Sequence, residues 1–114
     1  MKRSMQLLPQ LSFSILMALS LKPRHGYEIM KQVKEDSLGK INLNPASLYT
    51  AIKQLTDDGL IEELPQEDTR RRYYQLTKEG WQRLNAELEY FDNTVKLARQ
   101  RKAYDSNGVM VWAA

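Results

Sequence analysis

One helix is marked at both ends in the stretch NPASLYTAIKQLTDDG, residues 44–59. Asn44 is a good N-cap, and Pro45 suits the first helical position because its missing N–H would have no intrahelical partner there. Gly59 follows the last turn, where helices commonly end in the left-handed conformation. A single apolar stripe at helical spacing predicts the buried face, and it consists of Leu48, Ile52 and Leu55, with Ala51 beside them.

Two shorter helical patterns precede this stretch. The first covers residues 7–21, with apolar residues at helical spacing, and Pro23 follows its end. The second covers residues 26–37, with apolar and charged residues on separate faces, and Gly39 supplies its stop. Three helices are therefore expected before residue 60.

The sequence that follows predicts a β-hairpin. Two short runs rich in Leu, Ile and Tyr cover residues 60–64 and 71–76, and the polar residues 66–70 separate them. Thr77 can cap a last long helix, with Glu79 favourably placed in its first turn. Three helices followed by a two-stranded wing make up a winged helix-turn-helix, and a long helix follows it here. We therefore expect a mainly α fold with a small β-hairpin and a long C-terminal helix.

The last helix carries an apolar seam at heptad spacing, which is typical of helices that pair. A helix over residues 78–104 would be about 40 Å long and would project beyond a small core, which favours pairing with a second copy of the chain. The alternative is that the seam packs back onto the first helix. The seam consists of Trp81, Leu84, Leu88, Phe91, Val95 and Ala98.

These patterns divide the chain into three segments. We expect a DNA-binding domain over residues 1–77, a dimerisation helix over 78–104 and a tail over 105–114. The tail contains the apolar run Val109-Met110-Val111-Trp112, and it is either a frayed end or a segment that packs on a neighbour.

Composition sets only broad limits on function. The net charge is +3, from 17 basic and 14 acidic residues, so charge alone does not identify a partner. No apolar run approaches the roughly 20 residues of a membrane span. The chain has no cysteine, which excludes disulfides and thiolate metal sites and suits a reducing cytoplasm. We expect a soluble cytoplasmic protein that does not contact a membrane.

Catalytic motifs are missing from the sequence. His25 is the single histidine, and the chain contains no G-x-S-x-G, P-loop or H-E-x-x-H motif. The adjacent acidic pairs at residues 57–58 and 62–63 do not suit a site with two carboxylates over one substrate. We therefore expect no enzyme activity, no cofactor and no metal.

Three blocks of sequence occur in a characteristic order and spacing. HGYEI at 25–29 opens the second helix, and SLY at 47–49 leads through IKQL at 52–55 to DGLI at 58–61. RRYYQLT at 71–77 then leads to Gly80. Together the blocks resemble the PadR family of bacterial transcriptional regulators over roughly residues 8–80. The short chain with one C-terminal helix is similar to the short subfamily.

The resemblance implies a homodimer that is joined chiefly through the C-terminal helix. Such a dimer would bind a roughly palindromic operator and repress transcription until a phenolic or hydrophobic multidrug-type inducer releases it. Family members often carry Gly or Thr before the Leu-Tyr pair, where this chain has Ser47. Because that surface is expected to meet bases, the operator sequence is not carried over.

The outward face of the third helix holds the candidate DNA contacts. Ser47 and Thr50 suit base edges or phosphates, and Tyr49 suits a phosphate or a sugar. Lys53 is the cation on this face, whereas the two aspartates at the far end of the helix would repel phosphate. The alternative is that Tyr49 only extends the core and that Lys53 is solvated.

The run Arg70-Arg71-Arg72 is the strongest charge cluster and lies at the return of the predicted hairpin. Because wings reach phosphates or the minor groove, we expect Arg70 and Arg71 to contact DNA. Arg72 is a further candidate, which alternatively pairs with a glutamate of residues 62–63 across the hairpin. Tyr27 lies at the start of the second helix, where free N–H groups suit a phosphate, or it serves packing.

An inducer would need an apolar cavity, preferably lined by aromatic side chains. The candidate lining consists of Phe13, Met17, Leu88, Phe91 and Val95, although plain dimer core is the interpretation that the pattern favours. Two functions follow from the sequence. The first is a dimeric operator-binding repressor, and the alternative is a winged-helix module that binds another protein and does not bind DNA specifically.

Overall fold

The computed structural model describes residues 6–65 and 70–101. Its described residues form four helices and three short strands, in the order expected for a winged helix-turn-helix with a long C-terminal helix. The helices are α1 (Gln10–Leu19), α2 (Gly26–Asp36), α3 (Pro45–Asp57) and α4 (Lys78–Arg101). The strands are β1 (Arg24–His25), β2 (Ile61–Glu63) and β3 (Tyr73–Leu76). Among the described helices, none is both long and apolar enough to cross a membrane.

The chain divides into two compact units, and the boundary falls within α4. The first unit ends at Leu84 and the second begins at Asn85. The segments drawn from the sequence, residues 1–77, 78–104 and 105–114, stay predictions. The apolar tail lies outside the described residues.

The sheet is antiparallel, with β3 between β1 and β2. The hairpin of β2 and β3 was predicted, and its register places Ile61 opposite Leu76. Strand β1 was not predicted, because two residues are too short to show a period. It forms through pairing with β3, where Arg24 lies opposite Tyr74, and the Arg24 guanidinium donates to the carbonyl of Ala18 at 3.0 Å.

The core of the first unit is assembled from all three short helices and the hairpin. The stripe predicted on α3 is confirmed, because Leu48, Ile52 and Leu55 are at most 4% exposed. Burying each such side chain contributes about 1.5–3 kcal/mol. The same core includes Ile15, Leu16, Leu19, Ile29, Val33, Leu60, Ile61, Tyr74, Leu76 and Leu84.

Both ends of α3 follow the sequence signals. The Ser47 N–H donates to the Asn44 side chain at 2.8 Å, and Gly59 has a φ of +76°. The predicted first helix is two to three residues longer at each end than α1 is. Pro9 directly precedes α1, and a residue before proline is disfavoured in the helical conformation, so Leu8 cannot extend the helix easily.

A close junction joins the end of α3 to the start of α4. The Thr77 hydroxyl donates to the Gly59 carbonyl at 2.6 Å, and it accepts from the Gly80 N–H at 3.0 Å. The second bond confirms Thr77 as the cap of the last helix. A β-carbon at Gly80 would overlap the carbonyl oxygen of Leu60, so glycine permits this approach.

Candidate nucleic-acid interface

The solvent-facing side of α3 begins with small and polar side chains. Ser47, Tyr49 and Thr50 are exposed in its first half, opposite the buried stripe. Tyr49 is 50% exposed and therefore does not serve the core alone. A helix whose N-terminal half is narrow and polar suits the major groove, which is about 12 Å wide.

The second half of α3 holds its polar side chains in hydrogen bonds to aspartates one turn later. The Lys53 ammonium donates to Asp57 at 2.8 Å, and the Gln54 amide donates to Asp58 at 3.1 Å. The hydrogen bond to Asp57, together with its negative charge, raises the pKa of Lys53. Lys53 is therefore a permanent cation at neutral pH, and its nearest partner is a carboxylate of its own helix.

The start of α2 approaches α3 closely. A β-carbon at Gly26 would lie 2.5 Å from the Tyr49 hydroxyl oxygen and 3.2 Å from a methyl of Leu48. Glycine therefore lets the Tyr49 side chain lie over the first turn of α2. Tyr27, the next residue, is 70% exposed, so packing does not account for most of its surface.

His25 directly precedes α2 and contacts both its first turn and the sheet. Its backbone N–H donates to the Glu28 carboxylate at 3.2 Å, and its Nε2 atom lies 3.4 Å from the same oxygen. Its ring meets Tyr73 of β3 edge to face, with the ring centroids 5.3 Å apart. The single histidine of the chain thus connects the α2 N-terminus to the sheet, which is a positioning role and not a catalytic one.

A cleft of about 270 Å³ brings the separate sequence candidates together. The sequence could not show this grouping, because the residues come from three regions of the chain. Guanidinium groups, phenol hydroxyls and the free N–H groups of a helix start all suit a phosphate. The lining residues are His25, Gly26, Tyr27, Tyr49, Arg70, Arg71 and Arg72.

A second cleft, of about 310 Å³, lies between α3 and the hairpin, and it includes Lys53, Asp57 and Arg72. Arg72 Nε lies 3.9 Å from a Glu63 carboxylate oxygen, so the predicted pairing across the hairpin involves Glu63. Burial, followed by the charge of Glu63, raises the pKa of Tyr74. The Tyr74 phenol is therefore neutral at physiological pH.

Within the first unit, the start of the predicted seam has one exposed and one buried member. Trp81 is 43% exposed, whereas Leu84 is buried. Phe13 and Met17 of α1, which were predicted for the inducer site, are partly buried against the core.

In the second unit, the seam is exposed. Leu88, Phe91 and Val95 are 38–44% exposed, and Ala98 is half-buried. The Tyr90 and Phe91 rings meet edge to face with centroids 5.5 Å apart, which gives this part of α4 an aromatic surface.

Two features of the interface were not predicted from the sequence. The closeness of Gly26 to Tyr49 has no signal in the sequence, because it depends on how α2 and α3 pack. The Lys53–Asp57 pair did have a signal, since residues four apart are neighbours on a helix. In the described ranges, no group of histidine, aspartate and glutamate side chains is arranged to hold a metal ion.

The chain is similar to known transcriptional regulators. Residues 15–86 match the family described as transcriptional regulator PadR-like. A PadR family transcription regulator from hypervirulent Clostridium difficile R20291 is 28% identical with a TM-score of 0.69, and the match covers 81% of this chain and 97% of that chain. A transcriptional regulator from Clostridium thermocellum is 29% identical with a TM-score of 0.67, covering 79% and 87%.

A third structure, RosR from H. salinarum, is 26% identical with a TM-score of 0.66, and the match covers 86% of this chain and 81% of that chain. No curated protein matches the chain. The family match spans α2, α3, the hairpin and the start of α4, and it includes every residue that lines the two clefts. The chain therefore belongs to the PadR-like family of transcriptional regulators, which are DNA-binding proteins and not enzymes.

Proposed function

We propose that this regulator is a cytoplasmic repressor that binds a palindromic operator as a homodimer and is released by a small hydrophobic or phenolic inducer. The observation that supports this most directly is the cleft where Tyr27, Tyr49 and Arg70–Arg72 meet beside the α2 N-terminus. It offers a phosphate several donors at once, directly beside the exposed first half of α3.

In this proposal, α3 enters the major groove and the cleft receives the flanking phosphate. Ser47 and Thr50 contact base edges, while Tyr27 and Tyr49 donate to phosphate oxygens. Arg70 and Arg71 contact phosphates or the minor groove from the wing. The phosphate contacts set orientation and the base contacts supply sequence preference.

The homodimer rests on the seam of α4. Leu88, Phe91 and Val95 recur at heptad spacing, and each remains about 40% exposed within one chain. A helix face of this kind is typical of pairing with a second copy. Two copies would present two α3 helices to half-sites about 34 Å apart, which is why a palindromic operator is expected.

The inducer is the remaining part of the proposal. The residues predicted for it, Phe13, Met17, Leu88, Phe91 and Val95, are apolar and include two aromatic rings, which suits a small hydrophobic or phenolic molecule. In a Trp112→Phe background, which leaves Trp81 as the single tryptophan, titration with a hydroxycinnamic acid should change the fluorescence and release operator DNA in the same concentration range. The Trp81→Phe variant should lose the fluorescence change and keep the release.

The decisive experiment measures binding to duplex DNA from the protein's own promoter at several salt concentrations. A repressor should show a symmetric footprint and a steep loss of affinity with salt, because each phosphate contact releases counterions. Affinity no greater than for random DNA at moderate salt would reject the proposal. That result would favour the winged-helix module that binds another protein.

A further inference from the structure

Two polar side chains in the second half of α3 form hydrogen bonds to carboxylates at the end of the same helix. Lys53 donates to Asp57 at 2.8 Å, and these side chains are 77% and 58% exposed. Gln54 donates to Asp58 at 3.1 Å in the same i, i+4 geometry. Lys53, the candidate DNA contact in the second half of α3, is therefore already paired within the free protein, and so is its neighbour Gln54.

Helix stability does not explain these acids. Asp57 is the last residue of α3, Asp58 is its C-cap, and the last turn contains no basic residue. The C-terminus of a helix is the negative end of its dipole, where a carboxylate is unfavourable. In addition, an i, i+4 ion pair stabilises a helix less when the cation is N-terminal to the acid, as Lys53 is to Asp57.

The same arrangement recurs on the hairpin. Arg72 Nε lies 3.9 Å from a Glu63 carboxylate oxygen, and these side chains are 71% and 49% exposed. Both ion pairs line the cleft between α3 and the hairpin, together with Tyr49. Each of the two cations on this cleft thus has an acid as a neighbour, and both acids are accessible to solvent.

We propose that Asp57 and Glu63 are specificity-determining residues that compete with DNA phosphates for Lys53 and Arg72. This inference rests on the proposed operator binding. On random DNA, the phosphate contacts of these two cations require separation from the competitor carboxylates, and no base contacts offset that cost. On the operator, base contacts from the first half of α3 hold the helix in a register in which both cations stay paired with their acids, so the cost applies to random DNA alone. Discrimination between the two DNAs therefore increases, at some loss of total affinity.

On random DNA, the exchange of Lys53 from Asp57 to a phosphate changes how the binding affinity depends on salt. When Lys53 leaves Asp57 and binds a phosphate, the Asp57 carboxylate attracts a cation from solution. That uptake partly cancels the counterions released from DNA, so the wild-type slope of log affinity against log salt is flattened. Without the Asp57 charge, the slope should steepen by up to about 0.9 for each half-site.

The test compares wild type with Asp57→Asn on two duplexes of equal length, one from the protein's own promoter and one of random sequence. Binding to random DNA should tighten by about two- to fivefold per half-site, the factor expected for an exposed ion pair. Binding to the promoter should tighten less, so the ratio of the two affinities falls. Glu63→Gln should act in the same direction with a smaller effect, because its pair is longer.

The chain offers a matched control. Lys96 donates to Asp92 at 2.8 Å across the same spacing of four residues, with the acid N-terminal to the cation, and the side chains are 64% and 61% exposed. Asp92→Asn removes an equal charge and should leave the specificity ratio unchanged. In a Lys53→Ala background, Asp57→Asn should lose most of its effect on random DNA.

Three results would each overturn the inference. The first is an unchanged specificity ratio and salt slope in Asp57→Asn, and the second is an equal change in Asp92→Asn, which would indicate a general effect of net charge. A third would be an undiminished effect in the Lys53→Ala background. Absence of sequence-preferring DNA binding by the wild type would instead reject the proposed function, so the two failures are distinguishable.

Discussion

The Tyr49 hydroxyl lies against the α-carbon of Gly26, so close that a β-carbon at position 26 would be 2.5 Å from its oxygen. This contact joins the first turn of α2 to the exposed side of α3. Because both residues line the cleft with Arg70–Arg72, the contact also determines where the phenol is held. The absence of a side chain at Gly26 therefore shapes the candidate phosphate site.

Gly26→Ala should displace the Tyr49 side chain and weaken operator binding by about tenfold, the factor expected for losing a hydrogen bond to a charged group. The fold should survive, because the end of a flexible side chain can move. Binding titrations and thermal denaturation measure the two effects. In a Tyr49→Phe background, the same change should have a much smaller effect on binding. If Gly26→Ala weakened binding by the same factor in both backgrounds, Tyr49 would not act at this site.

Arg70→Ala combined with Arg71→Ala should weaken binding similarly for all duplex sequences, because contacts to phosphate carry no base information. The salt slope should decrease by about 0.9 for each lost phosphate contact. Salt titrations with promoter and random duplexes measure both quantities. Lys34→Ala combined with Lys40→Ala removes the same charge from exposed positions outside both clefts and should leave the slope nearly unchanged. A wild-type slope in the arginine variant would exclude the wing contact.

Leu88→Asp should convert the protein to a monomer, because it places a charge in the proposed seam between two α4 helices. Sedimentation velocity measures the change in mass. Leu97→Asp is the matched control, since Leu97 is 42% exposed on α4 but does not belong to the seam. If Leu88→Asp remained a dimer, the seam would instead pack within one chain.

Gly80→Ala distinguishes helix propensity from tertiary packing. Propensity alone predicts that alanine stabilises a helix by about 1 kcal/mol relative to glycine. The overlap of its β-carbon with the Leu60 carbonyl oxygen predicts the opposite sign, with a loss of about 1–3 kcal/mol, as expected for overpacking. Urea denaturation measures the free energy of unfolding. A more stable variant would contradict the packing argument at this junction.

Local signals made several parts of the fold predictable. Asn44, Pro45 and Gly59 define the ends of α3, because cap and turn residues act through bonds to their nearest neighbours. The buried stripe of α3 followed from helical periodicity, and the Thr77 cap followed from its position before the final helix. Each of these features depends on residues within about one or two turns of each other.

Other features depended on contacts between distant parts of the chain. Strand β1 exists only because β3 pairs with it, and its two residues carry no period of their own. The sequence indicated Tyr27, Tyr49 and Arg70–Arg72 separately, and only packing brought them to one cleft. The pairing of Arg72 was predicted with either glutamate of residues 62–63, and the structure places Glu63 beside it.

The sequence by itself determined the order of the four helices and the hairpin, the ends and buried stripe of α3, and the family, because caps, periodicity and motif spacing are local properties. Tertiary structure alone decided that Gly26 admits Tyr49, that the arginines meet the α2 N-terminus, and that Glu63 lies near Arg72. The physical reason is that a phosphate site needs several donors within a few ångströms of each other. Such proximity arises from the packing of helices and strands that are far apart in the chain.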